Sequence, residues 1–170
     1  MQPAHQKLSV KFKYVQEADM SLPVVGIIMG SSSDEPTMQK AGAILDQLEI
    51  PYDMTVCSAH RNPERTAEYA SKAKENGRKV IIAGAGLAAA LPGVIAAHTT
   101  LPVIGVPCGG GALNGVDALY AIVQMPPGVP VATVGIDNAR NAAVLAAQIL
   151  ALSDDGVQKR LAAYKKGLGG

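Results

Sequence analysis

Apolar residues in this chain gather in short unbroken runs, and between the runs they recur at every third or fourth position. The first run, Val24-Val25-Gly26-Ile27-Ile28-Met29, has no polar interruption, which suits a strand covered on both faces of a parallel sheet. The segment 35–48 follows, with Met38, Ala41, Leu45 and Leu48 spaced for one face of a helix. The same alternation continues to the end of the chain. Strands are expected at 52–57, 80–83, 103–106 and 131–136, and helices at 63–77, 91–99, 116–123 and 139–150. Pro63 suits the first position of its helix, and Asn138 suits the cap of the last of these. A final helix over 154–166 carries Val157, Leu161 and Tyr164 as its apolar stripe. Strands that alternate with helices in this way imply an α/β domain of three layers, αβα, built on a doubly wound five-stranded parallel sheet with an extra C-terminal helix.

The winding expected is flavodoxin-like. The order common to such sheets, 2-1-3-4-5, opens a crevice between the first and third strands. Of 170 residues 48% are hydrophobic but only 4% aromatic, and 18 are glycine, which favours close packing of helices on a sheet. Residues 1–22 are polar and lack the apolar centre of a signal peptide, so they read as a partly disordered lead-in to a single domain over 23–170. Fifteen basic and 14 acidic residues leave a net charge of +1, and no basic run is present, so nucleic-acid binding has no support. No apolar run reaches the roughly 20 residues of a membrane-spanning helix, and a cytoplasmic protein without membrane association is expected. Cys57 and Cys108 form neither a CxxC pair nor a disulfide framework and read as buried, reduced thiols. A chain this apolar, with 17% charged residues, is expected to bury surface in a homo-oligomer.

Three segments carry candidate chemistry, and the expected topology brings them to the carboxyl edge of the sheet. Ser58-Ala59-His60-Arg61-Asn62-Pro63 joins the second strand to the second helix. His60 can give and take a proton near neutrality, and Arg61 can hold a phosphate or carboxylate by two parallel hydrogen bonds. The pairing reads as an active site for an anionic substrate. Gly30-Ser31-Ser32-Ser33-Asp34 opens the first helix, where unpaired N–H groups and the helix dipole favour an anion, small serines admit a phosphate, and Asp34 can bind a ribose diol. Ordinary helix capping is the competing reading, and the P-loop pattern is excluded because no lysine follows at the required place. The third segment runs from Gly84-Ala85-Gly86 through Leu87, Ala88, Ala89 and Ala90 to Leu91-Pro92-Gly93. Its glycines allow backbone to lie against a flat ligand, or serve close packing alone. It is not a G-x-G-x-x-G fingerprint, and no acidic residue follows about 20 positions later as dinucleotide binding would want. His5 falls in the lead-in and His98 inside the third helix, where a structural role is expected.

These segments together resemble a known family. Met29-Gly30-Ser31-Ser32-Ser33-Asp34, the Ser58–Pro63 segment and Ile82-Ala83-Gly84-Ala85-Gly86 stand in order with Leu101-Pro102-Val103-Ile104-Gly105-Val106-Pro107. Leu113-Asn114-Gly115-Val116-Asp117-Ala118-Leu119 and Ile122-Val123-Gln124-Met125-Pro126 follow. From about Val24 to the C-terminal helix the chain is similar to the N5-carboxyaminoimidazole ribonucleotide mutases of purine biosynthesis, the class I PurE proteins. The resemblance implies an isomerisation without cofactor or metal, in which a carboxylate moves from the exocyclic nitrogen of carboxyaminoimidazole ribonucleotide to ring carbon C4. It implies that the carbamate loses CO2 in a closed pocket, that C4 attacks the trapped CO2, and that His60 is the general acid/base. It also implies substrate contacts from Gly30, Ser31, Ser33, Asp34, Ser58, Ala59, Arg61, Gly84, Gly86, Ala88, Ala89 and Leu91, with Ser58 and Arg61 at the phosphate. The partners implied are a small ribonucleotide, transient CO2 and further copies of the chain, as an octamer. Arg61, where the animal-type carboxylase branch typically has Lys, favours the mutase over direct CO2 fixation.

Two departures from the family pattern stand out. Leu87 and Ala90 occupy positions where the family's third segment has a glycine and a second pocket histidine, and Cys108-Gly109-Gly110-Gly111 replaces bulkier, more polar residues. The competing expectations are a carboxylase or decarboxylase acting on another heteroaromatic ribonucleotide, such as an aminoimidazole ribonucleotide carboxylase or a relative of the pyridinium carboxylases, and a nucleotide-binding flavodoxin-like domain without catalysis.

Overall fold

The computed structural model describes residues 22–169, so the expected lead-in lies outside the described residues except for Leu22. Strands β1 (Val25–Met29), β2 (Tyr52–Val56), β3 (Val80–Gly86), β4 (Val103–Cys108) and β5 (Ala132–Thr133) form one parallel sheet in the order β2-β1-β3-β4-β5. This is the order expected from the sequence. Each crossover returns through a helix: α1 (Glu35–Gln47), α2 (Pro63–Ser71), α3 (Leu91–Ala97) and α4 (Val116–Val123), followed by α5 (Ala139–Ala151) and α6 (Asp155–Gly167).

Every residue of β1 is buried because the strand is flanked by β2 and β3 and covered on both faces. Alternate side chains enter different layers. Val25, Ile27 and Met29 join a core with α1, α5 and α6, whereas Ile28 joins a second core with Ile81, Ala83 and residues of α2, α3 and α4. Truncation of the fully buried Ile27 or Ile28 to alanine is expected to cost about 2–5 kcal/mol, since either layer would be left with a cavity. Five alanines of α5, Ala139, Ala142, Ala143, Ala146 and Ala147, are fully buried, which lets that helix lie close on the sheet and α1. At the edge of β2, Arg78 donates to both Asp53 oxygens at 2.8 and 2.6 Å while its guanidinium stacks over Tyr69, 4.8 Å from the ring centre. Among the described residues no helix is long and apolar enough to cross a membrane.

Four expectations need correction. The fifth strand pairs at only Ala132 and Thr133, not over 131–136, because it has a neighbour on one side alone and the chain turns away before Asp137. The second helix ends at Ser71, and turns fill the path to Gly77, whose positive φ of 87° closes the segment. The third strand extends to Gly86, so Gly84 and Gly86 are strand residues paired with Val106 and Cys108 and do not belong to the following loop. His98 is the C-terminal cap of α3, one position beyond the helix.

Candidate active site

β1 and β3 leave the sheet in opposite directions, with helices on opposite faces, and the crevice between their carboxyl ends is bounded by the two polar turns. The first turn begins at Gly30, whose N–H donates to Gly84 O at 3.1 Å and so continues the sheet one step past β1. Ser31 then caps a short 3-10 turn over Ser32–Asp34, and its hydroxyl accepts from Ser33 N at 3.3 Å and from Ser33 Oγ at 2.9 Å. Asp34 closes the turn and leads into α1. Burial raises its carboxyl above the ordinary carboxylate range, and the charge of Asp137 adds to this against hydrogen bonds from Ser31 and Ser33.

The second turn follows β2. Cys57 N–H donates to Met29 O at 2.8 Å, which sets the end of β2 against the end of β1. Asn62 N–H donates to Ser58 O at 2.8 Å and Arg61 N–H to Ser58 Oγ at 3.3 Å, so 58–62 is a closed turn with Ala59 buried beneath it. Arg61 Nη2 reaches back to Gly30 O at 3.4 Å and joins the two turns. A cavity of about 300 Å³ opens between them, lined among others by Gly30, Ser31, Cys57, Ser58, Arg61 and Arg65. His60 is exposed on the crest of the second turn, next to this cavity in sequence but not part of its wall.

Arg65 was not singled out from the sequence. It lies in the first turn of α2, four residues after Arg61, and a charged residue on an exposed helix reads as a solvated face unless the preceding turn is known to fold toward it. Among the described residues its guanidinium has no hydrogen-bond or ion-pair partner, and it stands free for an anion. Two guanidiniums and two serine hydroxyls on one wall suit a phosphate.

The third segment sits above β3 and β4. Gly84 is buried under α1, where an added Cβ would collide with the Met38 thioether; packing alone accounts for this glycine. A Cβ added at Gly86 would come within 3.1 Å of Cys108 O. Leu87 and Ala89 have positive φ values of 52° and 39°, so the loop makes two left-handed turns without glycine before α3 begins at Leu91. Ala88 is exposed, Ala89 and Leu91 are buried, and Ala90 is the half-buried residue that starts α3. These residues do not line the cavity between the polar turns. His98, at the far end of α3, opens on a separate hollow with Ser71 and Lys74 at the opposite edge of the sheet, and so does not replace an imidazole at Ala90. Cys57 and Cys108 are both free and buried, as expected. Burial first, then Asp34 and Asp137, pushes the Cys108 thiol up to about 12, and it stays protonated at neutral pH.

A protein-family model described as AIR carboxylase matches residues 24–169, which include every element of the sheet and both polar turns. The chain belongs to the AIR carboxylase family. It is similar to the N5-carboxyaminoimidazole ribonucleotide mutase of Pyrococcus horikoshii, with 59% identity over 144 residues, 85% of this chain and 81% of that protein. It is also 60% identical over 129 residues to the phosphoribosylaminoimidazole carboxylase of Schizosaccharomyces pombe, which takes in 76% of this chain but 23% of that much longer protein. Among solved structures it resembles Treponema denticola PurE, with a TM-score of 0.78 and 28% identity over 85% of this chain and 90% of that one. The fold of the AIR carboxylase family is therefore the fold described above. The turns at 30–34 and 58–63 lie within the matched region.

Proposed function

We propose that the chain is an N5-carboxyaminoimidazole ribonucleotide mutase of purine biosynthesis. The observation that carries this reading is the contact of Arg61 with Gly30 O, which joins the turn that bears His60 to the serine turn and leaves two guanidiniums, Arg61 and Arg65, on the cavity between them. The similarity to the Pyrococcus horikoshii enzyme supports the same reaction. The substrate phosphate lies between Arg61, Arg65, Ser31 and Ser58, and Asp34 accepts hydrogen bonds from the ribose diol. The remaining proposed contacts, Gly30, Ser33, Ala59, Gly84, Gly86, Ala88, Ala89 and Leu91, follow the ring toward the ends of β3 and β4.

His60, as imidazolium, donates a proton to the exocyclic nitrogen while the carbamate C–N bond breaks; the bonding pair stays on nitrogen to hold that proton, and the carboxylate leaves as CO2. Ring carbon C4 then attacks CO2, a C–C bond forms, and neutral His60 takes the proton that C4 loses. The imidazolium is restored, and the sum of the steps is an isomerisation. Proton transfer of this kind supplies about 10²–10⁴-fold in rate. Holding CO2 against C4, so that recapture outruns escape, supplies the rest. With Ala90 where a second imidazole stands in the family pattern, His60 performs both transfers.

The test supplies carboxyaminoimidazole ribonucleotide without ATP or added metal and follows the C4-carboxylated isomer. Turnover by the parent and a loss of about 10²–10⁴-fold in His60→Asn are expected. Because His60 is exposed and among the described residues makes no side-chain hydrogen bond, that variant is expected to keep the parent's melting temperature. Full activity in His60→Asn would refute the mechanism. The Schizosaccharomyces pombe relative is named a carboxylase. A parallel reaction with aminoimidazole ribonucleotide and bicarbonate therefore separates direct carboxylation from the mutase.

The domain of residues 23–170 is further read as a cytoplasmic homo-octamer. Its support is an exposed apolar row on α4, Val116, Tyr120 and Val123, with Leu113 and Leu87 beside it.

A further inference from the structure

Asp137 is a residue that neither motif nor spacing marks, and the fold places it where three segments meet. It sits between β5 and α5 in a left-handed conformation, φ 55°, which aspartate tolerates better than most residues. Its N–H donates to Pro107 O at 2.8 Å, so the backbone at this point is tied to the last turn of β4. Its Oδ1 accepts from Gly109 N–H at 2.8 Å and from Thr37 Oγ1 on α1 at 3.5 Å. Gly109 fits against the carboxylate because it has no side chain: a Cβ there would come within 2.6 Å of Asp137 Oδ2.

The anchored stretch has little else to hold it. Residues 109–114 are exposed, the first four of them, Gly109 to Ala112, are glycine or alanine, and Gly111, Asn114 and Gly115 all take positive φ. The stretch nevertheless touches the third segment at the same edge of the sheet. A Cβ on Gly111 would lie 2.7 Å from Leu87 Cδ2, so the stretch packs on the loop that follows β3. At its base, Gly115 lies close to Gly109 Cα and to the Ile136 side chain.

We propose that Asp137 is a positioning residue: its carboxylate pins the glycine-rich stretch 109–115 to the sheet edge beside Asp34, and through Leu87 holds the lip of the substrate crevice in place. A charge-assisted bond to a backbone N–H is the strongest single restraint available to a segment without side chains to bury. The same carboxylate has an electrostatic effect across the crevice. The charged and titratable groups bearing on Asp34 are Asp137 from the β5–α5 turn and the Cys108 thiol from β4, with the Ser31 backbone N–H and the Ser33 hydroxyl of its own turn. Cys108 stays neutral, so Asp137 is the like charge that favours the protonated form of Asp34.

The kinetic consequences rest on the mutase reading, whereas the anchoring does not. Amide hydrogen exchange of 109–115 is therefore measured with turnover in the parent, Asp137→Ala and Asp137→Asn. The alanine variant loses the acceptor, and faster exchange in 109–115 with a fall of about 10–100-fold in kcat/KM is expected, the range produced by misplacement of about an ångström. The asparagine variant keeps an Oδ1 acceptor without charge. It restores slow exchange and most of the lost activity, and it moves the acid limb of the kcat/KM profile to lower pH because Asp34 ionises more readily. Unchanged exchange in Asp137→Ala overturns the anchor, and an unmoved acid limb in Asp137→Asn overturns the electrostatic part. If Asp137→Ala does not fold, Gly109→Ala displaces the same bond from the other side, and faster exchange in 109–115 is again expected. A parent without turnover would refute the mutase reading, and hydrogen exchange would still decide whether Asp137 holds the loop.

Discussion

Arg61 and Arg65 differ in how far each could be read from the sequence, although both face the same cavity. Arg61 adjoins a histidine at a strand-to-helix junction, and that local context marks it. Arg65 becomes a site residue only because the Ser58–Asn62 turn closes on itself and aims the first turn of α2 toward Gly30. Asp137 and Gly109 are further still from legibility, being 28 positions apart and joined only by the crossover between β4 and β5. A motif records residues that neighbour one another along the chain, and contacts made across crossovers leave no such record. If both guanidiniums hold one phosphate, Arg65→Ala raises KM by about 10–100-fold, the worth of a charged hydrogen bond. Arg61→Lys also raises KM, because an ammonium cannot form the paired contact. Steady-state kinetics with unchanged melting temperatures would establish this. A KM for Arg65→Ala within twofold of the parent would remove that residue from the phosphate site.

Elements were legible where side-chain patterning is strong and obscure where glycine or a sheet edge weakens it. The unbroken apolar run of β1 corresponds to a strand buried at all five positions. β3 was expected to stop at Ala83 because glycine carries no hydrophobic signal, yet its backbone continues to pair with β4 through Gly86 and Cys108. β5 carries a convincing apolar run and pairs at two positions only, since pairing depends on a neighbour that patterning does not reveal. The Asn138 cap was legible because its chemistry is local: Asn138 accepts from Asn141 N–H at 3.2 Å, whereas Asp154, expected inside the last helix, caps it and accepts from Val157 N–H at 3.0 Å. The Val157 N–H bond, the largest influence on Asp154, holds its carboxyl below the ordinary aspartate value. A carboxylate with a lowered folded-state pKa stabilises the fold above its unfolded pKa, and that contribution is lost as pH falls through the folded value. Asp154→Ala should therefore melt below the parent at neutral pH, with the gap closing in strong acid. Thermal unfolding at pH 7 and about pH 2 measures both. An equal gap at the two pH values would show that the cap acts without its charge.

At the scale of the whole molecule the two edges of the sheet have different tasks. The carboxyl edge carries the polar turns, the cavity and the glycine-rich stretch, whereas the Arg78–Asp53 pair and the start of β3 lie toward the amino edge. The outer surface of α4 belongs to neither. Ala118 and Ile122 of that helix are buried against the sheet, while Val116, Tyr120 and Val123 are exposed by 42%, 57% and 51%. A helix apolar on both sides needs a second surface to cover it. Leu113, three residues before α4, and Leu87, on the loop after β3, are exposed as well, so a second copy that covered them would also restrain those two loops. In the proposed octamer, assembly would then be coupled to catalysis through Leu87 and the stretch that Asp137 is proposed to anchor. Tyr120→Glu places a charge in the middle of the row without touching either core, and it is expected to convert a particle of eight times 17.5 kDa into smaller species. Multi-angle light scattering gives the mass. Activity should fall with the mass and recover in part at high protein concentration, because association is driven by mass action. A Tyr120→Glu variant with the parent's mass would remove α4 from the interface, and a fully active monomer would show that one chain suffices for the reaction.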